Sequence, residues 1–70
     1  MVEGEVIRWS EDKGFGYIRQ DDGKLIMVEH SALNWPGYRN LHIGQRVSFD
    51  VKKTVLGPEA MNVHKLEQPA

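Results

Sequence analysis

The chain contains no cysteine. Disulfides and cysteine-based zinc sites are therefore excluded as staples, and a reducing intracellular setting, the cytoplasm, is the expected location. No apolar run is long enough to span a bilayer, and no charged-then-apolar segment of the signal-peptide kind opens the sequence, so no membrane partner is expected. A basic excess is missing too: the formal net charge is −1 at pH 7. Proteins that hold nucleic acid mainly by charge advertise it in their overall balance. Any such binding here has to come from local charge placement and from stacking. No segment sustains a helical period, and there are no internal repeats or low-complexity runs. His30, His42 and His64 are separated by 12 and 22 residues, which is not a metal-ligand spacing, so neither metal nor cofactor is expected. A nucleophile–base–orienter set and a glycine-rich nucleotide loop are both lacking, so the chain does not read as an enzyme. Glu29 and His30 are neighbours, and neighbours on a strand point to opposite faces, which argues against acid–base work between them.

The 70 residues suffice for one small domain with a modest core. Short β-type segments separated by turns fill it. Val2 to Trp9 suits a first strand bent near Gly4. Ser10 to Gly14 is a turn, Phe15 to Arg19 a second strand, and Asp21-Asp22-Gly23 a hairpin signal leading to a third strand, Leu25 to Glu29. Ser31-Ala32-Leu33 predicts a single helical turn that Ser31 can cap. Asn34-Trp35-Pro36-Gly37 is a loop. From Gln45 to Lys53, Val47, Phe49 and Val51 alternate with Arg46, Ser48, Asp50 and Lys52, which predicts a half-buried fourth strand. Gly57-Pro58 reads as a turn. Ala60, Asn62 and His64 against Met61, Val63 and Lys65 give the fifth strand. Five short strands in so small a chain predict an all-β, five-stranded antiparallel barrel, because closure removes aggregation-prone sheet edges.

The densest chemical signal is Lys13-Gly14-Phe15-Gly16-Tyr17-Ile18. Phe15 and Tyr17 are two apart and share a face of their strand, while the glycines leave the backbone open to close approach. Exposed rings so placed can stack on successive bases, with Lys13 near a phosphate. The run matches the opening of the first ribonucleoprotein motif. It predicts a domain that binds single-stranded RNA or DNA.

Four blocks carry a wider similarity. Gly4 to Ile18 aligns without a gap to G-K-V-K-W-F-N-x-x-K-G-F-G-F-I. Ile26 to Leu33 follows V-F-V-H-F-S-A-I. Gly37-Tyr38, Leu41, Gly44-Gln45, Val47 and Phe49 follow G-F-x-x-L-x-x-G-Q-x-V-x-F. Gly57-Pro58, Ala60, Asn62 and Val63 follow G-P-x-A-x-N-V. In register over nearly the whole length, the chain resembles a bacterial cold-shock protein. The resemblance implies a cold-shock domain over residues 1–67 with a flexible tail at 68–70, an OB-type barrel, and exposed aromatics that stack on single-stranded RNA or DNA. It further implies a role as an RNA chaperone or as a regulator of transcription or translation.

Carried over position by position, the resemblance makes Phe15, Tyr17 and Tyr38 stacking residues. Elsewhere the chain departs from the pattern. Met27 and His30 replace two phenylalanines, Glu29 replaces a histidine, Arg8 takes the tryptophan position with Trp9 after it, and Glu5 and Ile7 replace two lysines. Arg8 can still stack and meet phosphate, Met27 offers a polarizable sulfur, and His30 can stack. Glu29 repels phosphate unless a cation such as Arg8 neutralises it or a base amino group meets it. These departures predict weaker binding or a changed base preference.

The site residues expected are thus Arg8, Trp9, Lys13, Phe15, Tyr17, Met27, His30, Trp35, Tyr38 and Arg39. Two of them have open alternatives. Trp9 either joins the site or covers the barrel; Trp35 either extends the platform beside Tyr38 or packs over the barrel end. Lys24, Lys52 and Lys53 are further cations in reach of phosphate or simply solvated. Val55 and Leu56, apolar in a loop, are filler or a contact patch for a partner. A monomer is expected, with a homodimer, or a protein-interaction module on the same fold, as the alternative.

Overall fold

Residues 1–66 are described by the computed structural model; Glu67 and the expected tail at 68–70 lie outside the described residues. The β-branched and aromatic runs form β1 (Val2–Ser10), β2 (Phe15–Gln20), β3 (Leu25–Glu29), β4 (Arg46–Thr54) and β5 (Gly57–Lys65). They close in the order β1-β2-β3-β5-β4. The barrel is all-β and five-stranded, as expected, but one pairing is not antiparallel: β3 and β5 meet in parallel through Met27 and Glu59. The cause is parity. A closed ring with an odd number of strands cannot alternate direction all the way round, so one neighbouring pair has to run the same way. No helix of the described residues is long and apolar enough to cross a membrane.

The core is Val6, Ile18, Ile26, Val28, Leu33, Leu41, Val47, Phe49, Ala60 and Val63. Phe49 is the largest side chain with no exposure. The alternation expected of β4 holds in direction but not in depth. Val51 pairs with buried Ala60 and is nonetheless 43% exposed. β1 accompanies β4 only from Arg46 to Phe49, so Val51 lies beyond the stretch that β1 covers. Ser48, expected on the solvent side, is buried because it lies between Glu3 of β1 and His64 of β5 in the ladder.

β5 corrects the expected grouping of Ala60 with Asn62 and His64. Ser48 pairs with His64 and Asp50 with Met61. Asn62 and Val63 therefore both lie opposite Phe49. Asn62 adopts φ 54°, a left-handed conformation that asparagine tolerates better than most residues. This bulge turns Ala60 and Val63, three residues apart, into the same core. The hairpin turn is also displaced. Gly57 and Pro58 were expected in it but pair with Thr54 and Lys53, leaving Val55-Leu56 as the turn. The Thr54 hydroxyl organises it by donating to the Gly57 carbonyl (2.8 Å) and accepting from the Leu56 N–H (3.1 Å). The helical turn is a 3-10 turn over His30–Ala32, uncapped by any side chain, so Ser31 lies inside it rather than capping it.

The irregularity of β1 falls at Ile7, three residues beyond the bend expected near Gly4. Val6 pairs with Ile18 and Arg8 with Tyr17, leaving Ile7 as an extra residue. Gly4 has a different job: a Cβ there would lie 2.6 Å from the Arg19 carbonyl oxygen. Gly16 is under the same constraint, since its Cβ would run into the carbonyl of Arg8. Gly16→Ala should therefore lower stability by ~1–3 kcal/mol, the usual cost of overpacking against a neighbour that cannot yield, measured as a urea midpoint shift.

One ion-pair cluster ties β4 to the β2–β3 hairpin. Arg46 donates to both carboxylate oxygens of Asp21 at 2.8 and 2.9 Å and lies 3.5 Å from Glu3. The Arg46 hydrogen bond holds the Asp21 carboxyl below its ordinary 3.8. A group depressed in the folded state contributes stability that is fully present above its ordinary value and is lost as pH falls through the lower folded one. Asp21→Asn should be less stable than the parent at neutral pH, and the gap should narrow on acidification below about pH 4, read from denaturation midpoints across that range.

Candidate nucleic-acid interface

The extra residue in β1 decides which side chains leave the barrel. Before it, Gly4 and Val6 point inward and are buried. After it, Trp9 pairs with buried Gly16, while Arg8 pairs with Tyr17. The backbone of the kink is satisfied from the segment just before β4: Val6 N–H donates to the Gln45 carbonyl (2.9 Å) and Gly44 N–H to the Val6 carbonyl (2.7 Å).

On the outer face of β1, β2 and β3 the side chains then fall into rows. Arg8, Tyr17 and Met27 form one, and Ser10, Phe15 and Glu29 the next. The Phe15 and Tyr17 ring centroids are 6.4 Å apart with planes at 79°, an edge-on pair. They share a face, as their spacing predicts, but they do not form a flat two-ring platform. A strand that stacks on both has to turn between one base and the next, or one ring has to rotate.

Two shallow clefts meet at Trp9. The first, about 250 Å³, is lined by Arg8, Trp9, Lys13, Phe15, Tyr17 and Ile43 among others; the second, about 210 Å³, by Trp9, Glu11, His30, Tyr38, Arg39 and Asn40. The structure thus brings Arg8, Lys13, Phe15 and Tyr17 together on one side of the indole and His30, Tyr38 and Arg39 on the other. Trp9 is half-buried against the core, and its Nε1 donates to Asn40 Oδ1 at 2.8 Å. It therefore both covers the barrel and forms the wall between the clefts. His30 is held by two contacts: its backbone N–H donates to the Gly14 carbonyl (2.8 Å) and its Nε2 to the Arg39 carbonyl (3.0 Å). Tyr38 is 80% exposed, and its hydroxyl donates to Glu11 at 3.1 Å. That hydrogen bond raises the phenol above its ordinary 10.0.

Two expected residues lie outside the clefts. Met27, half-buried, stays in the outer row with Tyr17. Trp35 packs against the core, donates from Nε1 to the Tyr38 carbonyl (3.2 Å), and carries Lys65 Nζ 4.9 Å above its ring centroid. Its ring packs over the barrel and at the same time lies next to the Tyr38 backbone. The Arg8–Glu29 pair that would neutralise the carboxylate is not formed. The two occupy adjacent rows, and among the described residues no ion pair involves Glu29. Lys24 and Lys53 border a separate apolar groove with Val2, Ile26, Val51 and Pro58. Among the described residues no group of His, Asp or Glu is arranged to hold a metal ion.

Sequence reasoning missed Ile43, Asn40 and Glu11. Ile43 is 72% exposed and stands in the Phe15–Tyr17 cleft because the neighbouring Gly44 is bonded to β1. An exposed isoleucine beside a glycine is a faint signal. Asn40 and Glu11 act on partners 31 and 27 residues away, which nothing local discloses.

A closed five-stranded OB-type barrel with aromatic rings and cations gathered on β1, β2 and the loops beside them defines the class. Residues 2–66 match the family described as the 'Cold-shock' DNA-binding domain. The chain is 42% identical over 65 residues to the cold shock-like protein CspC of Bacillus cereus, covering 93% of this chain and 100% of that protein. It is 38% identical over 66 residues to the major cold shock protein of Streptococcus pyogenes serotype M6, covering 94% and 98%. Among solved structures it superposes on drosophila Unr CSD456 with a TM-score of 0.76 at 19% identity, over 94% of this chain and 26% of that one; that likeness speaks for the fold alone. The chain belongs to the cold-shock domain family.

Proposed function

We propose that this protein binds single-stranded RNA or DNA as a monomer, by stacking bases on Tyr17, Phe15 and Tyr38, and so acts as an RNA chaperone or as a regulator of transcription or translation. The observation that carries the reading is the row Arg8–Tyr17–Met27 beside Phe15, with Lys13 lining the same cleft. The mechanism is mass action. A base held on a protein ring cannot stack or pair within its own strand, so binding disfavours duplex structure. Nothing in the site calls for covalent chemistry.

Affinity is modest on this reading. Arg8, Lys13 and Arg39 are the cations that line the clefts; Glu11 brings negative charge to the second of them, and Glu29 borders a separate cleft with Lys52 and Glu59. Each stacked base contributes ~1–3 kcal/mol, so fewer aromatics on this face mean weaker binding than a relative with a full aromatic set.

A second reading has one observation behind it. Val55 and Leu56 are 103% and 86% exposed at the tip of the β4–β5 hairpin, next to the apolar groove. It makes the domain a protein-interaction module.

Titration of a fluorescently labelled single-stranded oligonucleotide decides between them. Tyr17→Ala should weaken binding by roughly tenfold to a hundredfold. The log–log salt slope should be about −2, the value for neutralising three phosphates on a single strand. No binding, together with self-association at rising protein concentration, would favour the second reading.

A further inference from the structure

Glu29 ends β3 on the outer face, directly opposite Phe15 in the β2–β3 ladder. Two ordinary uses of such a carboxylate are unfilled. It does not cap the 3-10 turn that follows it, and among the described residues it is in no ion pair. Arg8, the cation that would reach toward it across the face, is set one row away beside Tyr17. The next residue, His30, is fixed on both sides by carbonyls of Gly14 and Arg39, so the backbone that carries Glu29 is held in place. An exposed acceptor thus stands on a fixed stretch of backbone in register with Phe15, between that ring and a neighbouring cleft lined by Lys52 and Glu59.

An ionised carboxylate accepts hydrogen bonds and donates none. The Watson–Crick edges of unpaired bases are open to be read, and they differ in what they offer. Guanine presents N1–H and the 2-amino group side by side, a match for both carboxylate oxygens. Cytosine and adenine each present one amino group. Thymine and uracil present a single N–H flanked by two carbonyl oxygens, which the carboxylate repels.

Resting on the single-strand reading above, we propose that Glu29 is a base-specificity residue. It selects amino-bearing bases, guanine first, at the position stacked on Phe15, and rejects thymine and uracil there. The negative charge that weakens contact with the phosphate chain is then what gives this face its selectivity.

The test uses the full chain and labelled oligonucleotides of seven thymidines in which the central base is replaced by guanine, inosine, cytosine or adenine. The guanine oligonucleotide should bind about tenfold tighter than the all-thymidine one, in line with one good bidentate base contact. Inosine, which lacks the 2-amino group, should lose most of that gain. In Glu29→Gln, checked for folding by its thermal transition, the ranking should flatten while overall affinity is kept or rises. Equal binding of thymidine and guanine oligonucleotides, no loss on inosine substitution, or an unchanged ranking in Glu29→Gln would each overturn the assignment. Failure of the stacking reading looks different: none of the oligonucleotides binds, and a longer mixed-sequence strand fails too, which removes both proposals together.

Discussion

β1 is hydrogen-bonded to β2 along one edge and to β4 along the other, and the geometry of the whole candidate interface depends on the one extra residue it carries. A strand alternates strictly, so without Ile7 as an insertion Arg8 would point the same way as buried Val6. The insertion reverses the parity. Arg8 goes out beside Tyr17, and Trp9 goes in over the mouth of the barrel. Bulges of this kind bend a strand and re-aim its side chains near functional surfaces. Here the kinked backbone is satisfied by Gly44 and Gln45, and that bond delivers Ile43 to the cleft.

Close backbone approach is the companion constraint. Where β1 crosses β2, Gly16 leaves no room for a Cβ against the Arg8 carbonyl. The two glycines of the Lys13–Ile18 run therefore have separate jobs. Gly14 holds φ 73° in the turn and accepts from His30 N–H; Gly16 lets the strand that carries Phe15 and Tyr17 lie tight on its neighbour. Ring exposure follows from packing on the other side of the same strand, where Ile18 is fully buried.

Charge on this face is distributed rather than accumulated. Several acidic groups are already committed: Asp21 and Glu3 to Arg46, Asp22 to Lys24, Glu5 to Arg19, Glu11 to the Tyr38 hydroxyl. A net charge of −1 therefore says little about the local field. Under the proposed function the electrostatic share in binding is small because Arg8, Lys13 and Arg39 are the cations that line the clefts.

The strands, the Asp21–Gly23 hairpin and the shared face of Phe15 and Tyr17 were legible in the sequence, because each follows from a two-residue period or a turn preference that acts within a few positions. The barrel was legible from the number of short strands in so small a chain, and the family resemblance pointed to the same fold. Other features were decided only by tertiary structure. The bulges at Ile7 and Asn62 depend on how many residues the partner strand supplies. The parallel β3–β5 contact follows from closing an odd ring. The packing of Trp35, the double duty of Trp9 and the separation of Arg8 from Glu29 depend on registers between segments far apart in the chain. Alternation along a strand is a local property, whereas depth, register and neighbours across a sheet belong to pairs of strands, and no single segment contains them.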